Sequence, residues 1–130
     1  MASIRREISL AASAEQVWDA VRDVGAAHRR LVPGVLTDTR LEPGARVVTF
    51  ANGAVVREAI VDVDDETRRF AWSASSDRLT HHNASMQVFV EGDGRSRLVW
   101  IADLLPDEAS PAIAALMDHG VAAMKRALEP

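Results

Sequence analysis

The sequence predicts an α+β fold: seven antiparallel strands in one curved sheet around a long C-terminal helix, with one or two short helices after the first strand. Three observations carry this. A period-two segment at residues 4–10 is followed at once by a capped helix. Residues 35–104 hold six apolar segments divided by turn signals, with no amphipathic helix among them. Residues 110–128 carry a single apolar stripe at helical spacing. With 130 residues, 48% of them hydrophobic, the chain fits one domain that buries roughly two-thirds of its unfolded surface.

Ile4, Arg6, Ile8 and Leu10 alternate with Arg5, Glu7 and Ser9, as in a strand with one mostly apolar face. Ser13, with Gln16 three residues later, forms a capping box in which each side chain satisfies an unpaired backbone amide. Val17, Val21 and Val24 follow at helical spacing until Gly25 interrupts them. Residues 26–30 can add a second short helix before Pro33 and Gly34 break the chain.

In the strand region, Glu42, Pro43 and Gly44 suit a tight turn, and Asn52-Gly53 suits a two-residue hairpin. Polar residues 64–67 and 91–94 are further connections, and residues 73–82 read as the longest and least regular loop. Ser110 is placed to cap the last helix with Pro111 at its first position. At about 100° per residue, Ile113, Met117, Gly120, Val121, Met124 and Leu128 share one stripe, and His119 and Arg126 fall far from it. A sheet wrapped around this helix is the simplest way to bury the stripe.

The formal charge of -4 comes from interspersed Asp and Glu, and the basic residues form no long stripe, which argues against nucleic acid. Without cysteine there is no disulfide, thiolate chemistry or cysteine-based metal site. The opening MASIRREISLAASAEQV has no apolar run of signal-peptide length, and no stretch approaches the ~18 apolar residues of a membrane helix. The expectation is a cytoplasmic protein with no membrane insertion.

Strand alternation groups Phe70 with Trp72 and Ala74; His82 with Ala84, Met86, Val88 and Val90; and Leu98 with Trp100, Ala102 and Leu104. These faces are expected to look inward at Met117, Val121 and Met124. A lining of indoles and thioethers suits an irregular apolar guest, although any sheet covered by a helix needs similar residues. Adjacent in one strand, Arg57 and Glu58 must point to opposite faces, and periodicity alone does not choose which turns inward. His81 and His82 diverge for the same reason, so the pair is a poor metal site, and no zinc-type spacing occurs elsewhere. Phe89, Val99 and Ile101 are expected to form an apolar patch on the convex face. There is no Gly-x-Ser-x-Gly, phosphate loop or dinucleotide fingerprint, so no covalent mechanism, metal or cofactor is expected.

The order of elements, together with SAEQVWDAVRDV, NGAVVREAIVDVDD, RLTHHNASMQV, SRLVWIADLLPDE and the terminal helix, resembles the START-like or SRPBCC superfamily of helix-grip proteins. That superfamily includes pollen-allergen-like proteins, polyketide cyclases/dehydrases and plant abscisic acid receptors, and the polyketide cyclase/dehydrase-like branch is the closer match. The resemblance implies an internal cavity that Glu58 faces, with His82 at the position of a cavity tyrosine and Arg78, Leu79 and Thr80 at the mouth. Two departures separate the chain from the hormone receptors. Their longer gate loop is replaced by Asn52-Gly53, and no lysine near residues 35–41 could pair with an acidic ligand. Phe50, Glu58, Trp72, His82, Met86, Trp100, Met117, Val121 and Met124 are therefore the expected ligand-binding set, rimmed by His28, Asn52, Gly53, Arg78, Leu79 and Thr80.

The leading functional expectation is binding of a small hydrophobic or aromatic molecule, as a carrier, sensor or store. An alternative is a polyketide cyclase/dehydrase-like enzyme using Glu58 and His82 for acid-base chemistry. A third reading is a protein-interaction module or homodimer whose concave face is simply packed.

Overall fold

The computed structural model describes the whole chain, Met1–Pro130. β1 (Ala2–Leu10) begins two residues before the alternation suggested and is followed by α1 (Ala14–Arg22) and α2 (Ala27–Arg30). Six strands come next, as the turn signals predicted: β2 (Leu36–Glu42), β3 (Ala45–Phe50), β4 (Val55–Asp64), β5 (Arg69–Ser75), β6 (His81–Gly92) and β7 (Arg95–Leu105). A 3₁₀ turn then leads into α3 (Ser110–Leu128). The strands form one sheet in the order β1-β7-β6-β5-β4-β3-β2, antiparallel at every junction.

The capping box forms: Gln16 N donates to Ser13 Oγ and Ser13 N to Gln16 Oε1, each at 3.1 Å. α1 packs over β6 and β7, where Val17, Val21, Leu10, Val88 and Leu98 are sealed from solvent. Trp18 Nε1 and Arg22 Nε donate to Asp65 Oδ1 at 2.9 and 2.8 Å, fastening the helix to the β4–β5 turn. This end of the concave face is therefore solid core.

α3 lies against β1 rather than over the middle of the sheet. Arg6 Nε in β1 donates to Asp118 Oδ1 at 2.6 Å, Lys125 Nζ reaches Ser9 O, and Ala11 N donates to Glu129 Oε2 at 2.8 Å. The helix grips one margin of the sheet and leaves space beyond it. At 19 residues it is the longest helix of the fold, and no helix is long and apolar enough to cross a membrane.

Several local expectations differ in detail. Asn52-Gly53 is not a two-residue turn: Gly53 N donates to Phe50 O, Phe50 N donates to Ala54 O, and Gly53 alone has positive φ (+89°), giving a three-residue loop that begins at Ala51. Residues 73–82 are less of a loop than their polarity suggested. β5 persists to Ser75, β6 starts at His81, and Ser76 bridges to Leu79. Ser110 does not cap α3, because the preceding turn already binds its amide to Asp107 O and leaves Ser110 helical. The proposed convex patch is not open either: Val99 is buried and the Arg97 guanidinium lies 4.9 Å above the Phe89 ring. Val90, grouped with the inward set, is exposed because β6 outruns the helices that cover it.

Candidate functional site

Between α3, the α2–β2 connection and the concave face lies a partly open cavity of about 1130 Å³, lined by 34 residues of which 22 are hydrophobic. It exists because the sheet curves away from a helix fixed at its β1 margin. A smaller hollow of about 320 Å³ beside Trp18 is walled by polar side chains, including the Arg22–Asp65 ion pair.

Of the expected ligand-binding set, Phe50, Glu58, Trp72, His82, Met86, Trp100 and Met117 line the cavity. Val121 and Met124 do not. Val121 lies three residues after Asp118 and four before Lys125, so it shares their β1-facing flank, whereas Met124 is fully buried in the core. At the mouth, Asn52, Arg78 and Leu79 line the opening, and His28, Gly53 and Thr80 lie outside it. His28 sits half-buried with Nδ1 enclosed and without a partner, Gly53 is exposed in the β3–β4 loop, and Thr80, also exposed, is tied by its amide to Leu105 O just before β6. His119 and Arg126, which fall far from the apolar stripe, both border the cavity, because it opens along the flank of α3 away from β1.

The walls are mainly aliphatic, with Phe50, Trp72, Trp100, Met86 and Met117 among them. Phe70 and Trp72 stack with ring centroids 4.9 Å apart, and Trp72 meets Trp100 at 6.4 Å. Trp100 in turn lies against Gly120: a Cβ added there would come within 2.7 Å of its ring. Only glycine lets helix and indole approach this closely.

Strand β4 turns Glu58 inward and Arg57 outward, where Arg57 Nε binds Glu42. Directly across the β3–β4 ladder from Glu58 stands Arg46. The two residues are only 6% and 8% exposed, and Arg46 Nε donates to Glu58 Oε1 at 2.8 Å. Arg46 Nη1 also donates to Val24 O at 3.1 Å, and its guanidinium carbon lies 5.0 Å from the Phe70 centroid and 5.8 Å from that of Trp72. Sequence reasoning missed Arg46. The signal was present, since Arg46, Val48 and Phe50 alternate inward just as Glu58 does in the next strand. The cavity thus contains a carboxylate already matched by a guanidinium.

His82, on β6, is buried, and loss of hydration holds its imidazole below the usual histidine range. Its Nδ1 accepts from Ala74 N at 3.2 Å, which assigns the proton of the neutral ring to Nε2. Nε2 makes no hydrogen bond within the protein. Trp100 Nε1 is enclosed without a partner.

Solved structures share this fold. An uncharacterised protein of Bacillus thuringiensis superposes with a TM-score of 0.89 at 18% identity, covering 98% of each chain. A START superfamily protein of Mycobacterium smegmatis gives 0.72 at 16% identity over 98% of this chain and 94% of the other. The di-domain ARO/CYC protein BexL gives 0.83 at 14% identity over 97% of this chain and 46% of its own. At these identities the likeness is one of fold, which is START-like. No curated protein matches the chain in sequence. Residues 1–129 match the family described as polyketide cyclase / dehydrase and lipid transport, and the chain belongs to that family.

Proposed function

We propose that this protein holds a small, largely apolar metabolite in the cavity beneath α3, as a carrier, sensor or store. The observation that carries the reading is the cavity itself. Its volume of about 1130 Å³ is above the ~300–1,000 Å³ of typical small-molecule sites, and mainly aliphatic walls that include two indoles and two thioethers suit an irregular apolar guest. Membership of a family described by cyclisation, dehydration and lipid transport is consistent with it. Native mass spectrometry of the protein purified from its own cells should find a retained metabolite. Indole NMR with that compound should then shift Trp72 and Trp100, which line the cavity, and leave Trp18, which is bound to Asp65. A confirmed ligand that moved only Trp18 would place the site elsewhere.

A cyclase or dehydrase is the second reading, favoured by the neutral His82 whose Nε2–H is free to polarise a guest carbonyl. Glu58 is less available for proton transfer because Arg46 engages it. Turnover of a poly-β-keto substrate that is lost in His82→Ala would support catalysis. Binding without turnover would leave the carrier reading.

A further inference from the structure

The sheet has two edges, β1 and β2, and only one of them is guarded. α3 packs against β1, where Lys125 Nζ reaches Ser9 O and Arg6 Nη1 donates to Arg5 O. β2 pairs only with β3. Ala51 N donates to Val35 O and Phe50 N to Ala54 O, so odd-numbered residues at this end turn their backbone groups towards β2 and even-numbered ones towards β4. Asp38, Arg40 and Glu42 stand opposite Thr49, Val47 and Ala45 and therefore bond across to β3. Thr39 and Leu41 point their N–H and C=O groups out of the sheet, where no group of the chain meets them. No proline or lysine blunts Leu36–Glu42, and a bulge at Thr37 leaves residues 38–42 as the regular open run.

We propose that β2 pairs antiparallel with β2 of a second copy, about a twofold axis at Thr39. In that register Thr39 of each chain exchanges both backbone bonds with Thr39 of the other. On either side Asp38 of one chain faces Arg40 of the other, in the non-hydrogen-bonded positions where Cα atoms approach to ~4.5 Å and side chains meet most closely. Both charges are available. Asp38 has no ionic partner in its own chain, and Arg40, with 70% of its side chain exposed, meets Glu42 only at 3.9 Å. Charge also selects the register. A twofold axis at Arg40 would set Arg40 against its own copy and Asp38 against Glu42. An axis at Leu41 would need Glu42, which Arg57 already binds at 3.1 Å, and would run into the turn at Pro43. The contact is self-complementary, as a twofold interface requires. It is independent of what the cavity holds.

Two short edge strands bury little area, so the association belongs to the weak, concentration-dependent class. Sedimentation equilibrium of the intact protein from about 10 μM to about 1 mM, the range of such weak complexes, should show monomer and dimer exchanging. Asp38→Arg and Arg40→Asp each turn two attractive cross-strand pairs into two repulsive ones and should raise the dissociation constant at least about tenfold. Combining both substitutions restores opposite charges and should recover most of the affinity. Thr39→Pro removes an amide that the chain's own sheet does not use, so the dimer should be lost while the thermal melt of the monomer is kept. A monomer at every concentration would overturn the proposal. So would a dimer that ignores the charge substitutions, or a combined variant that associates no better than either single one.

Discussion

Arg46→Met, Glu58→Leu and the double variant together test whether the pair across the β3–β4 ladder is a coupled unit. Removing one partner of a buried ion pair costs about 3–5 kcal/mol. This pair borders an open cavity, so about 2–3 kcal/mol is the expectation for Glu58→Leu, which leaves the guanidinium with Val24 O and the Phe70 and Trp72 rings. Arg46→Met should cost more, about 3–4 kcal/mol. It strands Glu58, removes the bond to Val24 O, and forfeits cation–π contacts of about 0.5–1 kcal/mol each. In the double variant no charge is stranded, so at least about 1.5 kcal/mol of the combined loss should return. Urea denaturation of all four proteins, with the slope of the transition checked for constancy, measures this coupling. In thermal melts a loss of about 3 kcal/mol corresponds to a fall of roughly 10 °C for a chain of this length. Additivity of the two single losses within about 0.5 kcal/mol would refute the reasoning, because it would mean that each side chain is solvated independently.

His82 takes up a proton less readily in the folded protein than in the unfolded chain, because burial opposes the charge. The resulting stability is fully present above about pH 6.5, the ordinary histidine value, and is lost as pH falls through that value towards the lower folded one. Melts of wild type and His82→Gln between pH 5 and 8 should show a difference that varies only on the acid side. Truncation before Ala112 removes nearly all of α3, including the buried Met117 and Met124, and should abolish cooperative melting and the near-ultraviolet dichroism of the indoles. Gly120→Leu drives a branched side chain into the Trp100 ring. It should cost about 1–3 kcal/mol by overpacking and shift the Trp100 indole resonance in urea-free buffer, which a surface effect would not do.

Sequence patterning made the sheet legible because alternation and turn residues are local properties. The seven strands, the capping box at Ser13 and Gln16 and the stripe of α3 all follow from near-neighbour chemistry. Where a helix docks is not local. The stripe correctly identified Met117, but the rotation of α3 is set by contacts far apart in the chain, among them Arg6 with Asp118, 112 positions away. That rotation sends Val121 towards β1 and brings His119 and Arg126 to the cavity. Arg46 was hidden for another reason. A single charged residue in a short strand reads as an edge or surface position until its partner across the ladder is known, and register supplied that partner. At Asn52-Gly53 the residue types were those of a tight turn, yet one extra residue, Ala51, fixed the geometry.

A hollow of this size also has a thermodynamic meaning. Under the proposed function, space that a fully packed domain would fill with its own side chains is left for a guest, so part of the interior would be supplied from outside and vary with concentration. A compound present at a hundred times its dissociation constant adds about 2.7 kcal/mol to the folded state, and one at a thousand times adds about 4.1 kcal/mol. Melting temperature therefore reports occupancy, and libraries can be ranked by the shift they cause without knowing what the cell places there.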